Sequence, residues 1–183
     1  MNQVVIDKTI YSTAPTDGNR LSKEARSYAL LEQLNIPFLR LDHRETATID
    51  ACLEVEEILG IEICKNLFLS NTARTDFYLL MMPGSKRFQT KLLSRQIGTS
   101  RLSFGEAMYM ERFLDITPGS VSVLGLMNDK GKNVRLLVDR DLLKEEFFGC
   151  HPCINTSSLK IKTMDLFDKF LPHTGHTPTF VDL

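Results

Sequence analysis

The sequence predicts a single α+β domain over residues 1–183, and three observations carry that prediction. Runs with a two-residue apolar period (61–70, 133–139) and one continuously apolar run (77–82) are mixed, in no repeating order, with stretches of helical period (22–35, 48–59, 163–171). Gly and Pro turns separate these runs, at Pro83-Gly84 and Pro118-Gly119 among others. There is no internal repeat, low-complexity tract or linker, and 183 residues suffice for one substantial core.

Composition narrows the function classes. Hydrophobic and charged contents of 43% and 25% are those of an ordinary globular chain, and no apolar run approaches the ~18 residues that span a bilayer. The start, Met1 to Lys8, lacks the basic residues and long apolar segment of a signal peptide. Four cysteines are too few for a disulfide scaffold, so the expected compartment is the reducing cytoplasm. A net charge of −1 excludes a generally basic nucleic-acid coat but leaves room for a local patch.

In chain order, residues 13–19 with Pro15 and Gly18 read as loop, and Ser22 as the N-cap of a helix to about Asn35. Pro37 closes that helix, and Phe38, Leu39 and Leu41 form a short strand. A second helix runs from about Thr48 to Leu59, with Cys52, Val55 and Leu59 on one side, Asp50, Glu54 and Glu57 on the other, and Gly60 as its stop.

The run 61–70 is more informative. Alternation puts Ile61, Ile63, Lys65, Leu67 and Leu69 on one face, with Cys64, Asn66, Phe68 and Ser70 on the other. Lys65 on the apolar face reads either as an edge-strand lysine that snorkels outward, or as an ammonium at the mouth of a pocket facing an anion or carbonyl. Phe77 to Met82 is apolar on both faces, as a central strand is. From Ser85 to Arg101 there are five cations, Lys86, Arg87, Lys91, Arg95 and Arg101, and no carboxylate. On a helix Arg87, Lys91 and Arg95 would stack at spacings of four, a repulsion that a polyanion relieves and that solvent also screens.

A helix from Glu106 to Leu114 precedes the turn Thr117-Pro118-Gly119-Ser120-Val121, which bares backbone N–H groups. Val123 to Met127 reads as a strand, Asn128 to Gly131 as a hairpin turn, and Asn133 to Asp139 as the returning strand. After a helical turn at Asp141 comes Phe147-Phe148-Gly149-Cys150-His151-Pro152-Cys153-Ile154-Asn155-Thr156, a bend in which Gly149 offers unusual backbone angles and Pro152 holds His151 extended. Its plain reading is a surface turn, and its functional reading is a loop aiming His151 at a site. Thr163 caps a last helix to about Leu171, and the tail to Leu183 is irregular.

Five motifs in order resemble one family: Cys64-Lys65-Asn66-Leu67-Phe68-Leu69, Met82 to Arg87, Thr117 to Val121, Leu124 to Asp129 and Gly149 to Thr156. Together they resemble the free-standing prolyl-tRNA editing proteins, the YbaK/ProX-type aminoacyl-tRNA deacylases, from about Leu21 to Leu183. The resemblance implies a curved mixed β-sheet or partly closed barrel flanked by helices, and hydrolysis of alanine wrongly esterified to proline tRNA without metal or cofactor. The implied partners are the acceptor end of aminoacylated tRNA and, transiently, prolyl-tRNA synthetase, with no membrane. Such an activity has a physical purpose: a proline pocket cannot strongly reject alanine, because missing methylenes are worth only ~1–3 kcal/mol.

With that resemblance, Lys65 is expected to anchor the terminal phosphate or the ester carbonyl, and His151 to shape the pocket or orient water. The tRNA's own terminal 2′-hydroxyl is implied as an assistant. Asn66, Cys150, Pro152, Asn155 and Thr156 are expected to line the substrate site, with backbone N–H groups near Gly119, Ser120 and Gly149 for the aminoacyl end and oxyanion. Lys86, Arg87, Lys91, Arg95 and Arg101 would steer the acceptor stem. The sequence departs from the family pattern at Cys150, where a large apolar residue is expected before His-Pro, and at Cys153. Both bear on the preferred aminoacyl group, with Cys-tRNA(Pro) or Ser-tRNA as alternatives. The rivals are a thiol–disulfide oxidoreductase built on Cys150-His151-Pro152-Cys153, a zinc site adding Cys64, and a non-catalytic tRNA-binding relative.

Overall fold

The computed structural model describes residues 6–44 and 49–183. The expectations for Met1 to Val5, for a helix start at Thr48, and for the side chains of Asp50 and Cys52 fall outside the described residues.

Strands β1 (Ile6–Tyr11), β2 (Phe38–His43), β3 (Lys65–Asn71), β4 (Phe77–Met82), β5 (Leu102–Phe104), β6 (Val134–Asp139), β7 (Phe147–Cys150), β8 (Ser157–Lys162) and β9 (Thr179–Val181) form two sheets. One has the order β1-β2-β8-β7 and is antiparallel throughout. The other has the order β5-β3-β4-β6-β9, antiparallel from β5 to β4 and parallel from β4 to β9. Helices α1 (Ser22–Gln33), α2 (Ile49–Leu59), α3 (Thr90–Gln96) and α4 (Ala107–Leu114) lie between strands. A last helical stretch runs from α5 (Thr163–Asp165) through a π turn over Leu166–Phe170 into α6 (Leu171–Thr174).

The α+β class holds, but the strands make two sheets, and neither closes into a barrel. All six residues of β4 are buried, as its two-sided apolar sequence requires. One face of its sheet contributes Phe68, Phe77, Leu79 and Met81 to the main core, where Phe148 and Leu159 of the other sheet meet them. The opposite face buries Leu69, Leu80 and Leu137 with Leu93 of α3.

The sheets touch where the chain enters β3. Ile63 and Gly149 form a parallel bridge; Cys64 N donates to the Gly149 carbonyl at 3.0 Å, and Gly149 N to the Glu62 carbonyl at 3.2 Å. Gly149 is required here by crowding rather than by a left-handed φ: a Cβ would stand 2.6 Å from Ile61 Cδ1 and 3.0 Å from Ile63 Cα. The left-handed residue of the bend is Cys153, with φ 63°.

Three other expectations change. Val123–Met127 is a 3-10 helix, whose first turn is capped by the Ser122 hydroxyl accepting from Leu124 N at 3.2 Å, so no hairpin precedes β6. The tail supplies β9, which adds a parallel edge to β6. Helix α3 begins only at Thr90, so Arg87 precedes it and only Lys91 and Arg95 share its surface.

Candidate active site between β3 and the His-Pro bend

Strand alternation explains why a cavity forms beside β3. Phe68 O accepts from Gly105 N at 2.9 Å beyond the end of β5, and Cys64 N donates to Gly149 beside β7. Asn66 lies between these two and directs its peptide group to the same side, since residues 64, 66 and 68 share an orientation along the strand. The strand edge is therefore uncovered between β5 and β7, and a cavity of about 430 Å³ occupies that gap. Its size is within the range of small-molecule sites.

Of the sequence-predicted residues, Asn66, Gly119, Cys150 and His151 line this cavity. Cys64, Phe68, Met110 and Val121 add apolar wall. Lys65, Ser120, Gly149, Pro152, Asn155 and Thr156 are not among its lining residues. The Lys65 ammonium donates to the Lys86 carbonyl at 2.6 Å, clasping the 83–87 loop to the start of β3. Two of the N–H groups on the expected oxyanion list already serve the fold. Gly149 N is held by Glu62, and Ser120 N closes the 117–120 turn on the Thr117 carbonyl at 3.1 Å. Gly119, with φ 90°, is the residue this turn sets against the bend: a Cβ there would lie 3.6 Å from Asn155 Nδ2.

Asn66 is poised rather than satisfied. Its Nδ2 donates to Cys64 O at 3.2 Å and lies 3.3 Å from Cys64 Sγ, which fixes the orientation of the amide. The opposite atom, Oδ1, is buried without a hydrogen-bond partner. A buried acceptor left unpaired costs about 1–3 kcal/mol, which a donor on a bound ligand would recover.

The bend fixes the tautomer of His151. Its Nδ1 donates to the Ser157 carbonyl at 2.9 Å, which leaves Nε2 with the lone pair. The Ser158 hydroxyl, 3.4 Å from the same Nδ1, lies 2.9 Å from His43 Nε2, while His43 Nδ1 donates to the Arg44 carbonyl at 2.8 Å. Read donor to acceptor, the chain runs from His151 through Ser158 to His43 and the Arg44 carbonyl. Burial, the main cause, lowers the pKa of both histidines; for His151 the Ser157 carbonyl opposes that shift and His43 adds to it. His151 is thus a neutral imidazole at neutral pH.

The three cysteines Cys64, Cys150 and Cys153 are buried free thiols. Burial pushes Cys64 up to about 12 and Cys153 to about 11, and lifts Cys150 well above the usual thiol range. Oxidoreductase chemistry needs the opposite shift. Among the described residues no group of three His, Cys, Asp or Glu side chains could hold a metal.

In the basic segment, Lys86 is engaged by Asp139 and Asp141, at 2.8 and 2.6 Å, and by the Leu183 carbonyl, so its charge is neutralised inside the fold. Arg87, Lys91, Arg95 and Arg101 are exposed. A smaller hollow of about 130 Å³ lies near Glu62, Glu145 and Glu146, whose carboxylates would repel a phosphate backbone.

The comparisons with known proteins fit this geometry. The family model of the aminoacyl-tRNA editing domain matches residues 43–169. The chain belongs to the aminoacyl-tRNA editing domain family. Prolyl-tRNA editing protein ProX of Acetoanaerobium sticklandii is 28% identical over 156 residues, covering 85% of this chain and 94% of ProX. A prolyl-tRNA synthetase associated domain-containing protein of Danio rerio is 30% identical over 173 residues, covering 93% of this chain and 90% of the relative. The fold is shared with a crystal structure of a candidate trans-editing enzyme for prolyl tRNA synthetase, at a TM-score of 0.65 and 16% identity over 90% of this chain and 99% of that one. The editing-domain match begins at His43 and takes in β3, the 117–121 turn and the His-Pro bend. His43 and Ser158 escaped sequence reasoning. They meet only through the pairing of β2 with β8, where Leu41 stands opposite Ser158.

Proposed function

We propose that this editing domain, acting as a single unit in the cytoplasm, hydrolyses the ester of alanine wrongly joined to tRNA(Pro), releasing alanine and free tRNA. The observation that carries the reading is the cavity shared by Asn66 and His151, two polar groups with open valence in an otherwise largely apolar wall. The relatives named for prolyl-tRNA editing supply the substrate class.

In this reading the aminoacyl group enters the cavity and Asn66 Oδ1 accepts from its ammonium. The lone pair on His151 Nε2 orients a water, whose oxygen bonds to the ester carbonyl carbon as its proton moves to the imidazole, or to the terminal 2′-hydroxyl as that group passes its own proton to the departing 3′-oxygen. The C–O bond to the ribose then breaks, and the 3′-oxygen takes up a proton as the free hydroxyl. Gly119 N–H, on the cavity wall, is the backbone donor offered to the oxyanion. Lys65, outside the cavity lining, uses one of its three N–H groups on Lys86, and the other two remain for the terminal phosphate. Cysteinyl and seryl esters form the second reading, because Cys150, smaller than the large apolar residue of the family pattern, leaves more room at this part of the cavity wall.

The test is release of alanine from Ala-tRNA(Pro) by the purified protein and by Lys65→Ala. The wild type should deacylate, and the variant should lose tenfold or more in kcat/KM. RNA binding without turnover by the wild type contradicts the reading, and a near-normal variant removes Lys65 from the mechanism.

A further inference from the structure

Phe104 ends β5 and is 66% exposed. It is held there firmly. Gly105 N is bonded to the Phe68 carbonyl, a Cβ on Gly105 would stand 2.4 Å from the Phe68 ring, and Phe88 backs Phe104 with ring centroids 6.2 Å apart.

The position of this ring gives the exposure a meaning. On one side Phe104 lines the cavity between β3 and the bend. On the other it lines a hollow of about 500 Å³ that includes Thr90 and Arg101. These two residues are shared with a third hollow, of about 420 Å³, which adds Lys91 and Ser94. Cavity, aromatic ring, guanidinium and ammonium therefore follow one another as a continuous surface track. Neither Arg101 nor Lys91 has a carboxylate partner among the described residues, whereas Arg74 beside them is paired with Glu106.

We infer that this track receives the single-stranded 3′ end of the RNA, with the terminal base stacked on Phe104 and the preceding phosphates on Arg101 and Lys91. The inference rests on the deacylase reading, which puts the aminoacyl ester in the adjoining cavity. Chemistry favours a single strand: every base offers a π-face to an aromatic ring, and unpaired ends are where proteins stack bases. The cations beyond Phe104 match a phosphate backbone that must leave the cavity in that direction. Phe104 then positions the ester without touching the reacting atoms.

The experiment is fluorescence anisotropy with a labelled, uncharged RNA hairpin ending in a single-stranded ACCA overhang, against the same hairpin made blunt. The wild type should bind the overhang hairpin about tenfold more tightly. Phe104→Ala should abolish that preference and Phe104→Trp should restore it. Arg101→Ala should lower the slope of log affinity against log salt by about 0.7, the value for one phosphate contact on a single strand. Equal binding of the two hairpins by the wild type, or an undiminished preference in Phe104→Ala, overturns the track. No bond is cut in this assay, so the two ideas fail separately. An intact overhang preference without deacylation sinks only the enzymatic reading, and deacylation without the preference sinks only the track.

Discussion

Replacing His151 by Ala should lower kcat/KM for Ala-tRNA(Pro) by about 100-fold or more, the lower end of what a positioned acid–base group contributes. The expectation comes from its place on the cavity wall and from a tautomer fixed by the Ser157 carbonyl. His151→Asn separates chemistry from architecture. Its amide can still donate to Ser157, but it has no nitrogen that titrates near neutrality. That variant should fold and stay slow, and its rate should lose the acid limb of the pH profile. In the wild type the limb lies below 6.5, because burial lowers the His151 pKa from that value and the neutral form is the active one. The rate therefore holds from neutral pH down towards 6.5 and falls as protonation sets in beneath it. Stability moves in the same direction. His43 is buried and His151 half-buried, both with lowered pKa values, so below 6.5 the unfolded chain binds protons that the native state does not, and stability falls as pH falls. Thermal unfolding at each pH separates the two effects. An Ala variant at wild-type rate would remove His151 from the reaction.

Gly149→Ala should be the most damaging small substitution in the site. The added carbon would meet Ile63 Cα at 3.0 Å as well as Ile61 Cδ1 at 2.6 Å, and a backbone atom cannot swing aside as a side chain does. Overpacking of this kind costs about 1–3 kcal/mol, which for a chain of this size lowers Tm by several degrees. The damage extends beyond stability, because the same contact sets the distance between β3 and the bend that holds His151. Deacylation should fall with Tm, and a variant that matches the wild type in both would show that the bridge between the sheets does not shape the cavity.

How much of this was legible beforehand differs by residue. The two-sided apolar run at Phe77–Met82 announced a central strand because burial on both faces leaves no polar alternation. Asn66, Gly119, Cys150 and His151 stand in the family's motifs, and the structure brings these four around one cavity at the gap in the sheet. Val123–Met127 misled because its apolar residues suit either a strand or a buried helical turn. The close fit of Gly125, where a Cβ would stand 2.5 Å from Ile116 Cδ1, is invisible in one dimension. Lys86 looked like a free cation because Asp139 and Asp141 are more than fifty residues away in sequence. For the same reason the His43–Ser158–His151 chain could not be read, since strand pairing alone brings its members together. In the sequence Phe104 is one of eleven phenylalanines, and only its position between two hollows distinguishes it.

The account depends on a cavity that discriminates by size, and a deacylation panel over Ala-, Cys-, Ser- and Pro-tRNA(Pro) tests this most directly. It predicts rapid hydrolysis of the alanyl ester, slower hydrolysis of the cysteinyl and seryl esters, and survival of the prolyl ester. Hydrolysis of Pro-tRNA(Pro) as fast as of Ala-tRNA(Pro), or of none of the four, would contradict it.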